Sequence, residues 1–352
     1  MLRTLLVACL ILTLGTASRP PGRKVIVPAN AAKPVGPYSP GILVGDYLYV
    51  SGQGVRDAGG AMPDGIAAQT RQCLENVKAI VEAAGLTLEH VVHMQLYLER
   101  MSDFAEVDRV YAGYFPAAPP ARVVVGVAKM PTETTVEMTA VAVRDSKLKK
   151  PLALKSLAPP GHASPAVAVG DRIYLSAAYG KNPAEAERSL KLALDEARLG
   201  TGGILLRNEY GTSASAMIPT RELPGEAQAA ISAIAVRGQE GSAGVCAADG
   251  KTIFCAAQAG ADPGETGVGG QVRAAMKKLQ AGLARHGAAL SQVTASNVYL
   301  DDIQEFGPMN EAYGSFFPRD RPTRTTVQPF PPAGRAPGVA PLVRISVVAV
   351  KD

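Results

Sequence analysis

The sequence predicts an α+β protein made of tandem β-β-α-β-α-β-β repeats, and three observations carry that reading. Two stretches match at a constant offset. Tyr97 and Tyr299, Phe104 and Phe306, Tyr111 and Tyr313, Phe115 and Phe317, and Arg122 and Arg324 all stand 202 residues apart, as do Gln69 and Gln271. A register held without a gap over so many positions is a duplication. Within each copy, the apolar pattern switches between the two-residue period of strands and the three-to-four-residue period of helices. Finally, 352 residues at 47% hydrophobic content suit two or three small cores.

The first repeat spans 34–145. Residues 41–44 and 47–50 flank a Gly45-Asp46 turn and read as a hairpin, because apolar β-formers surround a tight loop. A helix over about 66–84 places Cys73, Val77, Ile80, Val81 and Ala84 on one stripe, and Gly85 ends it. A strand over 91–98, a helix over 103–115 and strands over 122–127 and 135–143 complete the unit.

The third repeat, 238–352, follows the same order. Its hairpin turns at Asp249-Gly250, its helices cover 272–287 and 306–317, and its later strands cover 295–300, 325–328 and 342–350. Between the two lies a shorter unit, 158–237. Gly161 to Asp171 matches Gly36 to Asp46 at a step of 125, followed by a helix over 185–199 and strands over 203–210 and 229–236. The second helix is missing, so the middle repeat is degenerate. A two-domain chain with an unrelated insert is the rival organisation. Residues 146–157 read as a linker, with the basic run Lys147 to Pro151 solvated.

Residues 1–17 have the layout of a cleaved export signal: Arg3, an apolar run from Leu5 to Leu14, then small residues. The run is too short to span a membrane. Residues 18–33 read as a basic, Pro-rich tether. The expected location is therefore periplasmic or secreted, without membrane attachment after cleavage. Cleavage leaves Cys73, Cys246 and Cys255. With the third hairpin turning at Asp249-Gly250, Cys246 and Cys255 sit diagonally, and free, partly buried thiols are expected. The four histidines lack ligand spacing, so no metal is expected. A net charge of +5 without clustering, 5% aromatics and no Trp offer no face for nucleic acid.

Five motifs in order, Gly36-Pro37-Tyr38-Ser39-Pro40, Ser51-Gly52-Gln53, Gln69 to Val77, Pro120-Ala121-Arg122 and Val136 to Val143, resemble the reactive imine deaminase family (RidA, YjgF-like). The resemblance covers the first repeat from end to end and the third more loosely. It implies a chorismate-mutase-like fold whose members form trimers with ligand clefts between subunits. Three repeats in one chain then imply an intramolecular pseudo-trimer, monomeric in solution. It also implies cofactor-free hydrolysis of small carboxylate-bearing enamines or imines, of the 2-aminoacrylate type, to 2-keto acids and ammonia.

Carried over by position, Arg122 is the carboxylate-binding arginine and Glu137 holds the attacking water. Tyr38 closes over the ligand, and Ser51 and Gly52 form the cleft floor. A guanidinium fork matches a carboxylate, and a glutamate can take a proton from water. The third repeat keeps Arg324, but Ala243, Ala256 and Arg344 stand at its tyrosine, serine and glutamate positions. The middle repeat has Ser215 and Ala230 at the arginine and glutamate positions. The family's helix asparagine is Asp108 in the first repeat and Asn310 in the third. A single working cleft is expected from Arg122, Glu137 and Tyr38 against Asn310, with Arg324 as a further anion contact. The alternative is a non-catalytic anion-binding or scaffold protein that kept the fold. RNA cleavage and chorismate mutase chemistry lack the basic surfaces they would need.

Overall fold

A computed structural model describes residues 22–29, 31–238, 244–262, 264–331 and 341–351. The expected signal and the start of the tether lie outside these residues, as does Ala243. The first unit contains β1 (Lys24–Ile26), β2 (Gly41–Val44), β3 (Tyr47–Gln53), α1 (Ile66–Ala83), β4 (Val91–Leu98), α2 (Phe104–Tyr114), β5 (Ala121–Gly126) and β6 (Val136–Val143). The second has β7 (Lys149–Leu152), β8 (Ala166–Val169), β9 (Arg172–Leu175), β10 (Ala178–Gly180), α3 (Pro183–Glu196), β11 (Ile204–Gly211), β12 (Ile218–Pro219) and β13 (Ala229–Val236). The third has β14 (Cys246–Asp249), β15 (Thr252–Ala259), α4 (Gly267–Ala284), β16 (Val293–Leu300), α5 (Phe306–Gly314), β17 (Thr323–Val327) and β18 (Val343–Val350).

The three units share one strand order. The paths β2-β3-β6-β4-β5, β8-β9-β13-β11-β12 and β14-β15-β18-β16-β17 are the same arrangement. In each, the fourth and fifth strands of the path run parallel and the other neighbours antiparallel. In the second unit the two-residue β12 stands where β5 and β17 stand, and no second helix precedes it.

Each sheet buries its two faces differently. One face takes the unit's own helices: Cys73, Val77, Ile80 and Val81 of α1 and Val110 and Tyr111 of α2 pack on Leu48, Met94, Leu96, Val124, Val136 and Met138. Corresponding cores lie under α4 with α5 and under α3. The other face has no helix and packs on the other two sheets. Tyr97, Val123 and Val125 of the first unit meet Tyr210 and Ala230 of the second and Tyr299 and Val327 of the third. The three tyrosines hold one position in three sheets, opposite Glu137, Ala230 and Arg344. Arg172 links all three units: its guanidinium stacks on Tyr47 and Phe254 and pairs with Asp249 at 2.8 Å.

Four expectations change. Part of the tether is ordered as β1 on the edge of the first sheet, and Arg23 donates to the Val293 carbonyl of the third unit at 2.6 Å. Part of the linker is β7, an edge strand in the same place on the second sheet. Its lysines protect the edge from further pairing. Helix α4 starts at Gly267, five residues earlier than its pattern suggested, because Gly267, Gly269 and Gly270 mask the helical signal.

The cysteines are the fourth. Asp249 pairs with Thr252, so the loop is Gly250-Lys251 and Cys246 lies directly opposite Cys255, where the two form a disulfide. Gly250 leads the loop at φ +57°, as Gly45 and Gly170 lead theirs at +54° and +60°. Only glycine takes that backbone freely, so the hairpin register follows from it. Replacing both cysteines by alanine should lower stability by about 2–3 kcal/mol, the entropy expected of a short closed loop. Urea unfolding with and without reductant measures this; no effect of reductant would contradict the bond.

Candidate functional site

A cleft of about 430 Å³ opens between the first and third units. Its walls come from Tyr38, Gly52 and Glu137 on one side and Phe306, Arg324 and Thr326 on the other. Arg324 leaves β17, the edge strand of its sheet, on the helix-facing side. Its guanidinium lies over the rings of Tyr313, Tyr38 and Phe306 at 5.0, 5.4 and 5.6 Å. The residue is only 3% exposed, and no carboxylate within ion-pair distance neutralises it among the described residues. Burial pulls its pKa down from the usual arginine value, though the group stays a cation.

Glu137 projects from the inner face of β6, between Val136 and Met138 of the helix-side core. Its Oε1 accepts a 2.8 Å hydrogen bond from the Thr325 hydroxyl of the third unit. Burial pushes the carboxyl up to about 7, against the opposing pull of Thr325 and Arg324. Gly52 lies directly beneath: a methyl there would overlap both the carboxylate and the Thr325 hydroxyl.

The segment before β2 closes the cleft. Ser39 donates from its amide to Pro322 O at 3.0 Å and from its hydroxyl to Arg321 O at 2.6 Å, tying the first unit to the third. Tyr38 Oη accepts from Val35 N at 3.3 Å, and burial raises its pKa. Gly36 fits against Arg324 and Asn310. Asn310 stands on α5 beside the arginine, and its Oδ1 is buried without a partner. The Asn76 amide donates to Gly54 O and Arg56 O at 2.9 and 2.8 Å, which pins the outer wall.

The structure therefore brings together Glu137, Tyr38, Gly52, Asn310 and Arg324, and separates Arg122 from them. Arg122 lies with Val124 on the helix-facing side of the first sheet, whereas Glu137 is on the inner face. Its guanidinium stacks on Tyr111 at 4.4 Å, pairs with Asp108 at 2.6 Å and donates to Pro160 O at 2.8 Å. That places it at the boundary with the second unit, where the glutamate and tyrosine positions are Ala230 and Ala163. The expected partnership of Arg122 with Glu137 is thus corrected, and Arg324 takes the place beside the glutamate. Ser51 also moves: it lies beneath the floor, where its Oγ accepts from Gln53 Nε2 at 2.8 Å.

Asp108 and Asn310 explain why two equivalent arginines differ. Asp108 supplies a carboxylate to Arg122 from within the chain. Asn310 supplies none to Arg324. The sequence does not single out Thr326, which lines the cleft, or Thr325, which lies behind Glu137. Thr326 is two positions from Arg324, so it shares the arginine's face, and its buried hydroxyl has no partner.

A family model described as Endoribonuclease L-PSP matches residues 28–144 and 241–350. A RutC family protein of Pyrococcus horikoshii is 44% identical over 125 residues, which is 35% of this chain and 99% of that protein. The 2-iminobutanoate/2-iminopropanoate deaminase of Escherichia coli is 42% identical over 125 residues, 34% of this chain and 98% of its own. Among solved structures, RidA of the Antarctic bacterium Psychrobacter sp. is 36% identical and covers 34% of this chain and 98% of that chain, with a TM-score of 0.34.

The two arginines should differ in stability experiments. Asp108→Ala strands the buried Arg122 charge and should destabilise by about 3 kcal/mol. Arg324→Met removes an unpaired buried cation, so stability should hold or rise by up to about 1 kcal/mol. Urea denaturation compares them. A large loss of stability in Arg324→Met would mean that Arg324 has a structural partner.

Proposed function

The chain belongs to the Endoribonuclease L-PSP family, and we propose that it hydrolyses small carboxylate-bearing imines or enamines to 2-keto acids and ammonia in the cleft between its first and third units. One observation carries the reading: a buried arginine without a counter-ion faces, across a unit boundary, a glutamate whose pKa lies at about 7.

The chemistry follows from those groups. Arg324 takes the substrate carboxylate in its fork, Tyr38 covers it, and Asn310 and Thr326 offer polar contacts beside it. Glu137 takes a proton from water as the oxygen attacks the imine carbon. The resulting carbinolamine regains that proton on nitrogen, then gives its hydroxyl proton to the carboxylate as the C–N bond breaks, leaving the keto group and ammonia. A carboxyl with a pKa near 7 suits these transfers at neutral pH. No cofactor is required. Cleavage of RNA, which the family description names, would ask for a row of cations and stacking rings along a groove. Lys33, Arg56 and Arg324 line the cleft, with the rings of Tyr38 and Phe306 gathered over Arg324 rather than spaced along a groove.

We extend the proposal to architecture and location. The single chain acts as a covalent counterpart of a three-subunit ring and works as a monomer. Export agrees with the signal-like residues 1–17 and with the Cys246–Cys255 disulfide, a bond that persists in oxidising compartments.

Imino acids generated in place by an amino acid oxidase test the activity. Arg324→Ala and Glu137→Gln should each lose at least about 100-fold in rate, while Arg122→Ala that remains folded should keep most of it. The base works when ionised, so the rate should climb with pH through about 7. At pH 5 it should be about one hundredth of its plateau. Folded protein inactive on every imino acid would leave an anion-binding role instead.

A further inference from the structure

We infer that Thr325 is a positioning residue for the hydrolytic base: delivered by the third unit, its hydroxyl fixes one oxygen of Glu137 and leaves the other to face water. The inference rests on the deaminase reading of this cleft. It assigns work to a residue on the opposite face of β17 from the carboxylate clamp.

Strand geometry makes the arrangement possible. Successive side chains of β17 point to opposite faces. Arg324 therefore runs past the sheet edge into the cleft, while Thr325 points inward onto the first sheet. Both belong to one short strand, paired in parallel to β16 through Ser296 opposite Arg324 and Asn297 opposite Thr325. Clamp and base support are thus held in fixed relation by a single backbone, and the base itself comes from another unit.

The contact is specific to this boundary. Thr325 donates to Glu137 Oε1 at 2.8 Å with both residues buried. It is the one side-chain donor to that carboxylate among the described residues. At the boundary between the first and second units, the equivalent positions are Val123 and Ala230, which pack in an apolar cluster. In the second unit the threonine position is Ala216. Threonine and glutamate occur together at one boundary out of three, the same boundary at which the arginine is unpaired.

A hydroxyl that donates to a buried carboxylate stabilises its ionised form. Without it, burial raises the carboxyl further and the anion loses its orientation. The test compares wild type, Thr325→Val, which keeps the shape, and Thr325→Ser, which keeps the hydroxyl. In Thr325→Val the midpoint of the pH–rate profile should rise by about one pH unit, with kcat at pH 7 down about fivefold. KM for the imino acid should change less than about twofold, because the carboxylate is held by Arg324. The deficit should shrink above pH 9, and Thr325→Ser should restore the wild-type profile.

An unchanged midpoint in a folded Thr325→Val protein, or a rise in KM alone, overturns the inference. Thr325→Ala supplies the same comparison if the valine variant does not fold. Should wild type hydrolyse no imine, carbon-13 NMR titration of the Glu137 carboxyl still reads the contact in the free protein. A higher titration point in Thr325→Val with inactive wild type would sink the deaminase reading and keep the hydrogen bond. No difference in titration would sink the positioning role itself.

Discussion

Each sheet in this protein has one face covered by its own helices and one with nothing of its own to cover it. The bare faces carry Val123, Val125, Tyr97 and their counterparts, and apolar surface of that extent must be removed from water. Three units meet that requirement by packing their inner faces together. The edges of the sheets then lie against their neighbours, and clefts form at the boundaries. Every candidate site residue takes its meaning from that packing, because no unit holds a base and a free arginine within reach of one another.

The boundaries are alike in geometry and different in chemistry. Between the first and second units the arginine is spent on Asp108, and small side chains replace the tyrosine and glutamate. Between the first and third, Asn310 leaves Arg324 charged, Gly52 leaves room for Glu137, and Thr325 holds it. Burying an unneutralised guanidinium and a carboxyl that ionises only near 7 opposes folding. Such a cluster is what a binding or catalytic site requires and what a scaffold would shed.

Much of the fold was legible because the repeats reinforce each other. The strand over 91–98 and the order of elements in the outer repeats follow from pattern and offset alone, and the loss of the middle unit's second helix shows as a shortfall in length. Other features resisted for physical reasons. Motif order within one repeat pairs Arg122 with Glu137, and β5 offers nothing to correct it: Val123, Val124 and Val125 give no alternation from which to tell the helix side from the interior. Strand parity, counted from the core residues either side of each, separates them once the two faces are known. The disulfide turns on one residue of register: a turn at Asp249-Gly250 sets the cysteines diagonally, whereas glycine leading the loop, as in Gly45-Asp46 and Gly170-Asp171, puts it at Gly250-Lys251 and the cysteines opposite each other. The tether and linker strands have no pattern of their own. They form because an exposed sheet edge accepts them.

The composite cleft is tested most directly by a crystal structure of the protein with 2-oxobutanoate, the keto acid product. The account predicts one ligand per chain, its carboxylate on the Arg324 guanidinium and its keto carbon facing Glu137. A ligand carboxylate on Arg122 in place of Asp108, or the keto acid bound away from the boundary of the first and third units, would contradict it.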